Sequence, residues 1–298
     1  MRHIPEKQGA TAASREADAS GRLPQAISYI TVPGLWERRE HNIPKPQPGQ
    51  VVYITKGKFL AWGGTAILER LPSGDVIKTP KPHPDFHEDH CRNMRLEAQI
   101  YQTLGENSRV PRFINWNSDT CCLTLEYMDN GDIREYIRQH GQDLTDELRL
   151  HWAKQAAEGL AALHSIGVIH CDISPRNFLL DFDLNLKISD FGGASLSGSE
   201  PSAVAQTRFR HPEFDWDAPP TFGDDIFSLG SLIYFIMTGS YPYADRDSDE
   251  VEKLYVSQHF PDVTYLTCGS IIYQCWTRNV LALEVYSHIK MLEENRQL

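Results

Sequence analysis

Val168-Ile169-His170-Cys171-Asp172-Ile173-Ser174-Pro175-Arg176-Asn177-Phe178-Leu179-Leu180 is the stretch that decides the fold. Two short apolar runs flank a polar loop, and 18 residues after Asp172 a third apolar triplet, Leu186 to Ile188, leads into Asp190-Phe191-Gly192. Strands joined by such loops aim Asp172, Asn177 and Asp190 at one place. A carboxylate and an amide oxygen form a hard-oxygen pair of the kind Mg²⁺ accepts when phosphates and water complete its shell, while a separate carboxylate can take a hydroxyl proton. That combination is equipment for phosphoryl transfer.

Upstream, Thr65 to Leu71 and Val76 to Thr79 read as a hairpin closed by Pro72-Ser73-Gly74-Asp75, with Lys78 in its second strand. Val51 to Ile54 is a further β-like run. Residues from about Glu88 to Leu104 set Met94, Glu97, Tyr101 and Leu104 on one helical stripe that closes at Gly105, and a carboxylate on that stripe is unexpected. Phe113 to Trp116 and Cys121 to Tyr127 form a second hairpin. Downstream, Thr145 suits an N-cap for a helix carrying Leu148, Trp152, Ala156, Leu160 and Leu163, and a helix from about Asp225 to Met237 is apolar on nearly all sides. Strands with one helix followed by helices indicate an α+β chain of two lobes, a β-rich one at 49–128 and a mainly helical one at 129–298.

The order and spacing of these residues resemble the eukaryotic protein kinase family, whose catalytic loop reads His-Arg-Asp-x-x-x-x-Asn and whose metal motif is Asp-Phe-Gly. Alone, Asp-Phe-Gly would turn up by chance in about one in 25 chains of this length, so the ordered set carries the argument. The resemblance spans about residues 50 to 290. It implies a bilobal kinase-like fold, ATP and Mg²⁺ as cofactors, and a protein substrate. It further implies Asp172 as the base orienting the substrate hydroxyl, Asn177 and Asp190 as Mg²⁺ holders, Lys78 on the α/β-phosphates, and Glu97 as the partner of Lys78. Backbone groups of Glu126, Tyr127 and Met128 would face adenine, with Leu125 behind the pocket, Asp132 near the ribose and Leu179 as the floor. Thr207-Arg208-Phe209-Arg210-His211-Pro212-Glu213 resembles the stretch closing the activation segment. Asp225-Ile226-Phe227-Ser228-Leu229-Gly230 resembles the start of the buried central helix, where Asp225 would brace the catalytic loop.

The chain also departs from the family pattern. Ala61-Trp62-Gly63-Gly64-Thr65-Ala66 stands where the glycine-rich loop belongs, and of the family glycines only Gly63 is matched, Gly64 being an extra. Alanine held in a left-handed backbone costs about 1 to 2 kcal/mol, so weaker nucleotide binding is expected. Cys171 replaces the arginine that pairs with an activation-loop phosphate in many members, which implies activity independent of phosphorylation at Ser195, Ser197, Ser199 or Ser202. Ser174 stands where Ser/Thr-directed members carry lysine, and Arg176 can supply the missing positive charge. Arg278 is the candidate partner for Glu213. The Thr207 to Glu213 stretch favours Ser/Thr direction. Asp129, Asp132 and Glu135 hint at basic substrates, although a solvated acidic face is the better explanation of them.

Composition bounds the alternatives. The 298 residues include 29 Lys and Arg against 40 Asp and Glu, a net charge of −11, which disfavours nucleic acid as a partner. Hydrophobic residues make up 41%, enough for a proper core, and the longest apolar run, Leu232 to Met237, is far too short to span a bilayer. An intracellular monomer is expected, in cytoplasm or nucleus, with its six cysteines reduced. His83, His87, His90 and Cys91 have spacings a metal could use, but they follow a Lys-Pro-His-Pro connector and read as a solvated entry to a helix. Residues 1–48, with Pro44, Pro46 and Pro48, read as a flexible leader. A pseudokinase acting as a nucleotide-binding interaction module is the second reading of the whole, and a small-molecule kinase the third.

Overall fold

The computed structural model describes residues 27–34, 43, 45–277 and 280–296. They fall into two compact units, one ending at Thr55 and one running from Lys56. In the first, β1 (Ser28–Val32) pairs in parallel with β2 (Gln50–Ile54), Ser28 opposite Gln50 and Val32 opposite Ile54. The flexible leader expected through residue 48 is therefore corrected at Ser28–Val32. Its Tyr, Ile, Thr and Val favour extended backbone, and Val51 to Ile54 offers an edge of the same character. Because β2 finds its partner in β1, the compact division falls after Thr55, not before Gly49. Residues 1–26, 35–42 and 44 of the leader lie outside the described residues.

The second unit opens with an antiparallel five-stranded sheet in the order β3-β4-β5-β7-β6. Its strands are β3 (Lys58–Trp62), β4 (Ala66–Arg70), β5 (Val76–Pro80), β6 (Phe113–Asn117) and β7 (Cys122–Leu125), with helix α1 (His87–Leu104) between β5 and β6. Lys78 lies on the central strand, opposite Leu68 of β4 and Leu123 of β7. β3 carries no clear alternation in sequence because it is an edge strand with both faces largely open to solvent.

The chain continues through α2 (Ile133–His140), α3 (Asp146–Ser165), β8 (Val168–Ile169), a 3₁₀ turn (Pro175–Asn177), β9 (Phe178–Leu180), β10 (Leu186–Ile188) and β11 (Ser195–Leu196). It closes with α4 (Phe222–Thr238), α5 (Ser248–Val256), α6 (Gly269–Trp276) and α7 (Ala282–Arg296). Thr145 caps α3 by accepting from Leu148 N at 3.2 Å. α4 begins three residues before Asp225, because Thr221 and Asp224 form a reciprocal capping box. It is buried on nearly every side, packing on α3 and α6, and Trp276 Nε1 donates to Ser231 Oγ across the α4–α6 contact at 3.0 Å. No helix among the described residues is long and apolar enough to cross a membrane.

Gly230 makes that packing possible: a Cβ there would sit 2.7 Å from Cys275 Cβ and 3.2 Å from Ile272 O. Alanine is the better helix former by about 1 kcal/mol, but forcing α4 and α6 apart costs more. Gly230→Ala is expected to lower stability by about 1–3 kcal/mol in denaturant unfolding, where an unpacked interface would give a gain.

Candidate active site

Three elements converge on the Lys78 ammonium. Glu97, on the buried face of α1, receives it at 2.6 and 2.8 Å, and Asp190 receives it at 2.8 Å. Glu97 is 1% exposed, and the helical stripe that carries it packs Met94 and Tyr101 into the same core. Burial works against the Lys78 charge, but the carboxylates of Asp190 and Glu97 more than offset it, so Lys78 holds its proton more tightly than an ordinary lysine. Burial pushes the Glu97 carboxyl upward against the pull of Lys78. Asp190 is held below the usual carboxylate range, chiefly by the Lys78 charge, although its side chain is 60% exposed. The Asp190 oxygens therefore combine an ionised state with solvent access.

The second half of the site is a loop suspended between β8 and β9. Asp225, 1% exposed at the first turns of α4, accepts from His170 N at 2.7 Å and from Cys171 N at 2.9 Å. His164 Nε2 reaches the same carboxylate at 3.1 Å. These bonds hold Cys171 at φ 66°, a left-handed backbone that a non-glycine residue adopts only under constraint. Ser189 N donates to Asn177 O at 2.9 Å, and His170 Nε2 meets Ser189 O at 3.0 Å. Those two contacts tie the Asp172 loop to the Asp190 loop. Asn177 Nδ2 donates to Asp172 O at 2.7 Å and to Asp172 Oδ2 at 3.0 Å, which leaves Asn177 Oδ1 with no hydrogen-bond partner among the described residues. Burial raises the Asp172 pKa, against the opposing effects of His170 and the Asn177 bond. Arg176 is exposed and close enough for its charge to act on both Asp172 and Asp190.

The residues expected around adenine and ribose occupy one margin of the site. Glu126 to Met128 follow Leu125, the last residue of β7, and Asp132 bridges the backbone of Leu179. The Glu126 side chain accepts from Lys187 Nζ (2.8 Å) and Arg112 N (2.9 Å) through Oε2, and its backbone N donates to Arg112 O at 2.9 Å, so of its backbone groups the carbonyl is left for a ligand. Met128 O accepts from Gly131 N. Asp132 Oδ1 caps α2 by accepting from Glu135 N at 2.9 Å, a commitment that the residue type foreshadows only once α2 is recognised. Ala61 ends within β3, Gly63 and Gly64 form the turn, and Ala66 is buried in β4. Neither Ala61 nor Ala66 has positive φ, so the left-handed strain expected of an alanine there is corrected: both sit in ordinary strand backbone.

In the segment after Asp190, Ser195 is fully buried in β11 against β8, while Ser197, Ser199 and Ser202 are exposed. Ser174 Oγ is buried with no hydrogen-bond partner among the described residues. Cys171 Sγ faces Ile169 O at 3.4 Å, and burial raises its pKa, as befits a packed thiol. His87 and His90 both turn Nδ1 toward Lys81 O. Glu213 is exposed, and its candidate partner Arg278 lies outside the described residues. Sequence reasoning missed His164 and Ser189, whose roles depend on contacts across the fold. The one available signal was the spacing of His164 before the loop.

A family model described as Protein kinase domain matches residues 75–280. The chain is 27% identical over 225 residues to Serine/threonine-protein kinase 12 of Arabidopsis thaliana, covering 70% of this chain and 46% of that protein. It is 29% identical over 249 residues to Cell division control protein 7 of Schizosaccharomyces pombe (80% and 23%) and 33% identical over 276 residues to Cytoplasmic tyrosine-protein kinase BMX of Homo sapiens (86% and 38%). The chain thus spans less than half the length of these curated relatives.

Asp172 and Asp190 should titrate on opposite sides of the ordinary value of 3.8 when followed by carboxyl NMR. The depressed Asp190 contributes stability above its unfolded pKa that is lost as pH falls through its folded pKa. The raised Asp172 acts in the opposite sense, removing stability as pH rises from its unfolded toward its folded pKa. Asp225→Ala leaves two buried N–H groups unpaired and is expected to cost about 3 kcal/mol in denaturant unfolding.

Proposed function

The chain belongs to the protein kinase domain family, and from that premise we propose that it transfers the γ-phosphoryl group of ATP to Ser or Thr hydroxyls of protein substrates. The observation that carries the reading is the meeting of Lys78, Glu97 and Asp190 beside the hydrogen-bonded Asp172–Asn177 pair. Lys78, kept charged and fixed by two carboxylates, is suited to hold α- and β-phosphate oxygens in one orientation. Asp172, with one oxygen engaged by Asn177, keeps the other for a substrate hydroxyl and orients it by accepting its proton. Arg176 adds positive charge where the transferring group accumulates negative charge.

The donor set fits magnesium. Asp190 offers an ionised, solvent-reachable carboxylate and Asn177 an uncommitted amide oxygen, both hard ligands, with the nucleotide and water left to fill an octahedral shell. Asn177 and Asp190 would hold Mg²⁺ there, and the ion would supply neutralisation of phosphate charge. The backbone of Glu126 and Met128 would receive adenine, above Leu179 and below Gly63 and Gly64. Ser/Thr direction rests on the Thr207 to Glu213 stretch, and a tyrosine-directed kinase among the relatives keeps tyrosine as an arm of the test. The worn glycine loop that favours a pseudokinase loses much of its force, since Ala61 and Ala66 carry no backbone strain.

The test is metal-dependent transfer of radiolabel from ATP to Ser, Thr and Tyr peptide arrays. Asp172→Ala is expected to lower turnover by about 10²–10⁴ with the melting temperature retained, and Lys78→Met to fail at nucleotide positioning. ATP binding without transfer by the wild type would select the pseudokinase reading. Phosphatase treatment should leave turnover intact, because Cys171 offers no guanidinium to an activation-loop phosphate.

A further inference from the structure

Beside the candidate site lies a cavity of about 440 Å³ that none of Lys78, Glu97, Asn177 and Asp190 lines. Its walls are residues 198–205 of the segment after Asp190, residues 210, 211, 214 and 216–220, three positions early in α4 (Asp224, Asp225 and Ser228), and Cys171 of the Asp172 loop. That volume falls in the range of ligand-binding clefts, about 300–1,000 Å³. Pro201, Val204, Phe214 and Pro219 supply apolar surface. The charged wall is unbalanced: Glu200, Asp217 and Asp224, the last engaged by Thr221 in the α4 cap, stand against Arg210, which already faces Glu252 at 3.8 Å. Asp225 also borders the cavity but is committed to His170 N, Cys171 N and His164.

Trp216 gives the wall its most selective feature. It is 72% exposed and meets Phe214 edge to face at 5.0 Å. A smaller hollow of about 60 Å³ shares Phe214, Trp216, Arg210 and His211 and adds Glu252, so the aromatic pair stands between two concavities with acidic margins. An indole face beside excess carboxylate favours a planar cation with an apolar stem, because the ring quadrupole and the carboxylates attract the charge while the stem covers apolar wall.

We propose that this cavity docks an arginine-bearing segment of a protein partner, its guanidinium directed to Glu200, Asp217 and the face of Trp216. An anionic occupant such as a phosphorylated segment would instead meet three carboxylates around one already engaged arginine. Cys171 precedes Asp172 in the chain, so an occupant would touch the loop that carries the candidate base and restrain residues 198–205 at the same time.

The test uses the full chain without nucleotide, so that its outcome is independent of phosphoryl transfer. Calorimetric titrations compare the acetylated, amidated peptide Ala-Pro-Ala-Arg-Ala-Pro-Ala with versions carrying Glu or phosphoserine in place of Arg. The arginine peptide is expected to bind saturably, to weaken with added salt, and to lose at least tenfold affinity in the Glu200→Gln/Asp217→Asn double variant and in Trp216→Ala. The exposed positions of all three residues predict unchanged melting temperatures. The proposal is overturned if the arginine peptide shows no saturable binding at millimolar concentration, if the glutamate or phosphoserine peptide binds as well, or if folded variants bind undiminished.

Discussion

A buried ammonium held by two carboxylates from different elements is the constraint on which the described site depends. Lys78 reaches Glu97 on α1 and Asp190 on the loop after β10, so the central sheet strand, the one helix beside it and a loop from the following helical region share one charge. Separating Lys78 from Glu97 would leave a buried carboxylate uncompensated where water has little access, which is far more costly than losing a surface ion pair. The arrangement also divides the labour of the two carboxylates. Glu97, sealed in the core, fixes Lys78, while Asp190, open to solvent, keeps oxygens for a ligand.

Asp225 plays the corresponding part for the other half. Its carboxylate takes two backbone N–H groups and a histidine ring, and in doing so it imposes the left-handed turn at Cys171 that carries the chain on to Asp172. The largely buried α4 behind it supports that anchor. His170 meets Phe191 edge-on and Phe191 lies tilted against Tyr101, with ring centroids 5.7 and 4.9 Å apart, so the loops and α1 are joined by packing as well as by charge. Positioning of this kind is what phosphoryl transfer asks of a protein, since the reaction needs held groups more than covalent help.

Much of this was legible in the sequence because the signals were local. Thr145 before a periodic stripe marks the start of α3, and the turn Pro72 to Asp75 marks the β4–β5 hairpin. Glu97 was conspicuous as a charge on an apolar face, and the ordered set from Lys78 to Asp190 identified the fold class before any coordinates. What stayed hidden depends on distant partners. β1 is a strand because β2 lies beside it, β3 is an edge with no burial to pattern it, and Asp132 announces itself as a cap only after α2 is seen. The strain expected at Ala61 failed for a similar reason: the turn is made by Gly63 and Gly64, leaving the alanines in strands.

The most direct measurement is paramagnetic broadening of backbone amide signals in isotopically labelled protein by the Mn²⁺ complex of ATP. If the five side chains converge on one triphosphate and its metal, the amides of Asn177 and Asp190 broaden first, Lys78 follows, and those of α7, which packs on α3 and α6, stay sharp. Uniform weak broadening, or selective loss of signals elsewhere with Asn177 and Asp190 unaffected, would contradict the account.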